Sequence, residues 1–237
     1  MQVWLSKALA DLAPFASRER AAQEKAYLKS QLTFLGVGIP KTRQVAISVL
    51  QQIENHGKLT ATQLRDLTLA AWATEGHDAR AIALALLEKR AKCLGIVDLP
   101  WLEDVLRRSF TWAYVDQIAV HAVGQIVRKE PDAAKRVLAK WASDKDFWLR
   151  RSALLALLGE RRAGGRFDGA HFEAWALPML AEKEFFIRKA IGWVLRDVAR
   201  DDAAWVQGFL ERHAAQMSPL SLREARRGVA RALDVSK

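Results

Sequence analysis

Residues Asp144 to Leu158 read DKDFWLRRSALLALL and Glu182 to Arg196 read EKEFFIRKAIGWVLR, one pattern of acid, lysine, acid and aromatics then bases, repeated at an offset of 38 residues. A fainter echo at an offset of 36 sets Trp112, within TWAYVDQIAVHAVGQIV, opposite Trp148. Repeats of about 40 residues with two or more helices each are the mark of a HEAT-like array, in which each unit buries its apolar face on its neighbours. The rest of the chain agrees. Apolar residues recur at three- and four-residue spacing almost throughout, punctuated by six prolines and 13 glycines, and no sustained two-residue alternation or Asn-Gly hairpin suggests a sheet. The expected fold is all-α: a curved HEAT-like repeat α-solenoid with a basic concave face, a single domain over residues 1–237.

Helices are expected at Arg18 to Leu35, Thr42 to Asn55, Thr60 to Thr74, Asp78 to Cys93, Thr111 to Lys129, Phe147 to Arg161, Phe185 to Ala199 and Leu222 to Leu233, among others. Thr60 is placed to cap its helix, and Ser221 with Glu224 has capping-box spacing. The stretch Arg161 to Gly169, RRAGGRFDG, reads as a loop between helices and lacks the strand context of a phosphate-binding loop.

Lys and Arg number 37 against 27 Asp and Glu, a formal charge of +10. That excess concentrates polyanions, nucleic acid above all, although solvated basic faces produce the same count. No helix combines a basic face with a wide apolar one, and no apolar run approaches the roughly 20 residues of a membrane span. The one cysteine, Cys93, has no internal partner, which suits a reducing compartment and a small buried hydrophobe. The N-terminal MQVWLSKALADLAPF lacks the long apolar core of a secretory signal. A cytoplasmic, nucleoid-associated protein is expected.

Most enzyme classes are removed by what is missing. The histidines His56, His77, His121, His171 and His213 are scattered, without zinc-binding spacing, and read as surface or helix-end residues. His171 and Glu173 spell half of a zinc deaminase signature whose Cys-x-x-Cys half cannot exist beside one cysteine. With no GxSxG elbow and no dinucleotide fingerprint, neither metal nor cofactor is expected. Tryptophan is the unusual residue, nine in all. Trp112 and Asp116 lie four apart and so one turn apart on a helix face, and Lys189, Trp193 and Arg196 form a second stripe. A tryptophan at helical spacing is most often core, and an aspartate near a helix start is often only a dipole partner, so the residues alone leave both readings open. Trp4, Trp72, Trp101, Trp141, Trp148, Trp175 and Trp205 are assigned to packing. The recurring bases Arg150, Arg151, Arg188 and Lys189 fit solvated helix ends or pairing with Asp144, Asp146, Glu182 and Glu184.

Four separated segments, in order, are YLKSQLTFLGVGIPKTRQ from Tyr27, TWAYVDQI from Thr111, ASDKDFWLRRSAL from Ala142 and KEFFIRKAIGWVLRDVAR from Lys183. With these the chain resembles, over essentially its whole length, the AlkD-like family, bacterial alkylpurine DNA glycosylases of the HEAT-like repeat type. The resemblance implies an active cleft of Trp112, Asp116 and Trp193, all present here, with Arg151, Tyr27, Arg43 and Arg196 as DNA contacts. One departure is Thr111, where some relatives carry an aromatic before the tryptophan. What the family implies is a monofunctional glycosylase, a monomer without cofactor, that excises cationic N3- and N7-alkylated purines such as 3-methyladenine and 7-methylguanine from duplex DNA in base excision repair, without base flipping. Two alternatives compete: a non-catalytic HEAT-repeat protein that binds damaged or branched DNA, and a protein-binding solenoid. The carboxylate of Asp116 beside both tryptophans favours the enzyme.

Overall fold

A computed structural model describes residues 2–162 and 164–235. Residue 163, inside the expected glycine-rich loop, lies outside the described residues, as do residues 1, 236 and 237. The chain divides into two compact units, Met1–Ile126 and Val127–Lys237. Both are all-helical among the described residues, where the β structure is an isolated parallel bridge between Thr33 and Gly76.

The first unit holds α1 (Gln2–Leu12), α2 (Arg18–Leu28), α3 (Ile39–Glu54), α4 (Ala61–Trp72), α5 (His77–Arg90), α6 (Leu99–Arg107) and α7 (Trp112–Gln117). Beyond α7 the chain continues as a π-helical stretch, Ile118–Val123, and then α8 (Gly124–Lys129), which carries it into the second unit. Thr60 caps α4 as expected, its hydroxyl taking the Gln63 amide at 3.2 Å while Gln63 Oε1 takes the Thr60 amide at 3.0 Å. The helix expected to run to Leu35 stops at Leu28, because Lys29 turns left-handed and its amide closes on Ala26. The apolar spacing of 31–35 serves instead a segment fastened to the start of α5, where Asp78 Oδ2 accepts the Leu35 amide at 2.7 Å. Cys93 is only half-buried, in a short 3-10 turn.

The second unit holds α9 (Pro131–Ala142), α10 (Phe147–Arg162), α11 (Gly169–Ala176), α12 (Phe185–Val198), α13 (Ala203–His213) and α14 (Pro219–Val235). Within it α10 packs on α12 and α12 on α14, the next-neighbour contact of a helical repeat. Residues matched by the 38-residue offset do the same work: Asp146 accepts the Trp148 amide at 2.9 Å and Glu184 the Phe186 amide at 3.1 Å. The two helix starts then pack, Trp148 tilted against Phe186 at 4.7 Å between ring centroids. Arg150 pairs with Glu182 at 2.9 Å, so pairing across the repeat accounts for this base. The Ser221–Glu224 spacing is not a capping box. Ser218 receives the Ser221 amide at 3.1 Å, while the Ser221 hydroxyl donates to the Arg188 carbonyl at 2.8 Å. Glycine lets α12 and α14 meet closely, since a Cβ on Gly228 would sit 2.7 Å from Arg196 Cα.

Candidate active site

The α7 segment is entered through a tightly held connection. Thr111 is extended and its hydroxyl accepts the Ala113 amide at 3.4 Å, an N-cap that starts the helix one residue before Ala113. Trp112 is half-buried and Asp116, one turn on, is 8% exposed. Helical side chains lean toward the N-terminus, so the Asp116 carboxylate leans toward the Trp112 turn. Two residues beyond it, at Ile118, the backbone widens into the π stretch, a departure that occurs often at functional sites. Tyr27 of α2, 73% exposed, meets the Trp112 ring edge-on at 6.0 Å and 87°.

On the other side of α7, polar groups brace it against α5. Tyr114 and His77 Nδ1 share a 2.6 Å hydrogen bond, and the His77 ring lies flat on Phe34 at 4.1 Å. Burial pushes the His77 pKa down, opposed by Asp78 and reinforced by Arg80. Burial also raises the Tyr114 hydroxyl, so both groups are held neutral. His77 sits at a helix end as expected and is half-buried. Arg80, itself depressed by burial, lies over Trp72 at 5.4 Å and Tyr114 at 5.8 Å, and donates to the Thr74 carbonyl at 3.3 Å.

A cavity of about 290 Å³ opens between α2, α3, α5 and α7, walled by Tyr27, Trp112 and Ile39 and edged by the carboxylates of Glu24, Asp78 and Glu88. Burial raises the Glu24 pKa, with Arg20 lowering it and Asp78 adding to the rise. Glu88 is held by Arg43 at 2.7 Å. The structure thus places Tyr27, Arg43 and Trp112 around one hollow, with Asp116 outside its walls.

In the second unit Arg151 is 4% exposed. It donates to the Phe186 carbonyl at 2.5 Å and stands 6.0 Å from the ring centroids of both Phe186 and Trp193. Such a cation is dehydrated and held by aromatic faces. Trp193 is half-buried. Arg196 pairs with Glu224 of α14, itself almost fully buried. Of the other tryptophans, Trp72, Trp141, Trp148 and Trp175 are buried, and Trp4, Trp101 and Trp205 half-buried. The bracing by His77, Tyr114 and Arg80 had no signal in the sequence, since it joins residues far apart in the chain with no spacing rule between them.

A family model described as DNA alkylation repair enzyme matches residues 8–229. No curated protein matches the chain significantly. Among solved structures, a "Predicted DNA alkylation repair enzyme from Enterococcus faecalis" superposes with a TM-score of 0.76 at 22% identity, over 89% of this chain and 94% of that one. At that identity the likeness establishes a shared fold.

Proposed function

Because the chain belongs to the DNA alkylation repair enzyme family, we propose that it is a DNA glycosylase that hydrolyses the N-glycosidic bond of cationic N3- and N7-alkylated purines, 3-methyladenine and 7-methylguanine, in duplex DNA. The observation that carries this reading is Asp116, a carboxylate mostly withdrawn from water, one helical turn from the half-buried Trp112. An alkylated purine already bears positive charge, so it departs with the bonding electron pair as a neutral base and needs no general acid. Positive charge then develops on the deoxyribose. A fixed carboxylate in a low-dielectric setting stabilises that charge as it forms, and water adds to the sugar with its proton passing to the carboxylate or solvent.

Trp112 and Trp193 supply electron-rich faces for the cationic nucleotide, worth about 0.5–2 kcal/mol each. Arg151, Tyr27, Arg43 and Arg196 are the DNA contacts. Arg43 and Arg196 now hold Glu88 and Glu224, so phosphates would share or displace carboxylates already present, which keeps the arginines extended before DNA arrives. No lysine is needed. The product is an abasic site on an unbroken strand, the enzyme acting as a monomer on a base that stays in the stack, in the cytoplasm at the nucleoid.

Release of both bases from methylated duplex DNA, wild type against Asp116→Asn, tests this. Loss of a fixed charge-stabilising group of this kind lowers rates about 10²–10³-fold, with DNA binding retained. Folded, DNA-binding wild type that releases neither base sinks the proposal.

A further inference from the structure

The array in the second unit runs on past the two helices whose likeness the sequence discloses. Contacts between α12 and α14 keep step along their seam, so the two helices are parallel. The Ser221 hydroxyl reaches the Arg188 carbonyl, a Cβ on Gly192 would lie 2.9 Å from the Glu224 Cβ, and one on Gly228 would lie 2.7 Å from the Arg196 Cα. Lys189 and Trp193 stand one residue past that seam on α12, and Arg223 and Arg227 one residue short of it on α14. In parallel right-handed helices these offsets turn both pairs to the same side. The register from the helix starts agrees. Arg151 follows its cap Asp146 by five residues, Lys189 follows Glu184 by five, and Arg223 follows Ser218 by five. A base thus recurs at one position of three stacked helices, buried on α10, half-buried on α12 and exposed on α14.

Lys189, Arg196, Arg223 and Arg227 gather there around one buried carboxylate, Glu224, which takes Arg196 and, at 3.6 Å, Arg227. Neither Lys189 nor Arg223 has an ion-pair partner among the described residues. Arg223 and Arg227, four apart, also repel along their own helix, a crowding of like charge that a bound polyanion relieves. We propose that α14 is a phosphate clamp: Arg223 and Arg227, with Lys189 across the seam, grip the backbone of the strand whose nucleotide Trp193 faces. This rests on the reading that the protein acts on duplex DNA. Gly192 and Gly228 bring the two helices close, which sets the three cations one helix and one turn apart. Guanidinium forks hold phosphate oxygens in a fixed orientation. Such contacts fix the register of a duplex without touching a base, which suits a damaged base that stays in the stack.

The test is binding of the full chain to an undamaged duplex over a range of salt concentrations, read by fluorescence anisotropy. Arg223→Gln with Arg227→Gln should flatten the slope of log affinity against log salt by about 1.8, at about 0.9 for each phosphate contact, and weaken binding roughly tenfold at about 0.1 M salt. Arg223→Lys with Arg227→Lys should keep most of the slope, because the charge remains. Arg136→Gln with Arg212→Gln removes the same charge from exposed positions on α9 and α13 and should leave the slope near wild type. An unchanged slope in the α14 glutamine variant overturns the proposal, whether or not its thermal midpoint falls. An equal flattening by the α9 and α13 variant overturns it too, since net charge alone would then explain the loss. Turnover does not enter: a wild type with the α14-dependent slope that releases neither base would end the glycosylase reading and leave the clamp standing.

Discussion

The α10–α12 pair and the α5–α7 region each carry an aromatic stripe beside charged side chains, and they are built in opposite ways. At the starts of α10 and α12 matched residues do the same work: Asp146 and Glu184 cap, and across the pair Trp148 packs on Phe186 and Arg150 reaches Glu182. Around α7 the only repetition is the faint echo of Trp148 at Trp112. The chain enters through left-handed Phe110, the helix widens to π after Gln117, and its support is a hydrogen bond between the buried Tyr114 and the half-buried, neutral His77. Where two helix starts must only pack on each other, apolar contacts repeated at fixed spacing suffice. Where a carboxylate must be kept from water beside an aromatic, the backbone departs from the regular helix.

The largest expected effect attacks the regular side. Trp148 is buried between Phe147 and Phe186, with centroids at 4.5 and 4.7 Å. Trp148→Ala should cost about 3–5 kcal/mol in urea denaturation, the usual range for removing a buried aromatic. A loss below about 1 kcal/mol would mean that the stack is incidental and would break the contrast between the two regions.

Smaller, and a way to sharpen it, is Glu224→Ala. This carboxylate is almost fully buried and holds Arg196, which is one-third exposed. Solvent screens the stranded arginine, so a loss of about 1–2 kcal/mol is expected. If Arg196 serves phosphates, the same variant should bind duplex DNA as tightly as wild type or more so, and a steeper fall of affinity with salt should accompany the gain. Weaker DNA binding would instead assign Arg196 wholly to joining α12 and α14.

The contrast also decides what the sequence discloses. The starts of α10 and α12 at Phe147 and Phe185 are visible as a 38-residue offset because repetition samples the same physics twice, and the Thr60 cap is visible because capping is local. Trp112 and Asp116 are legible as a pair, yet nothing in their spacing announces the π stretch that follows. Residues 31–35 mislead because an apolar segment pinned by Asp78 has the same composition as a helix face. Ser221 and Glu224 mislead likewise: their spacing is that of a cap, but a neighbouring helix offers each a better partner, the Arg188 carbonyl and Arg196. Local rules fail where tertiary partners outbid them.

The smallest effect is set by pH and separates the regions without altering a buried contact in the wild type. His77 is held below its ordinary value of 6.5, chiefly by burial. Below pH 6.5 the unfolded chain therefore binds a proton that the folded chain resists, and stability falls as pH falls, by at most about 1.4 kcal/mol per pH unit for one group. Glu173 in the second unit is held below 4.5 by Arg212 and His213, so the stability it contributes is lost only at more acid pH. Glu24, raised above 4.5 by burial, works the other way, favouring the folded state as it protonates. Thermal midpoints at pH 7.0 and 5.5 should drop in wild type and drop less in His77→Gln, whose amide keeps a polar group opposite Tyr114 but takes up no proton. Equal drops in both would assign the acid sensitivity elsewhere and remove the neutral His77–Tyr114 bond as the brace of α7.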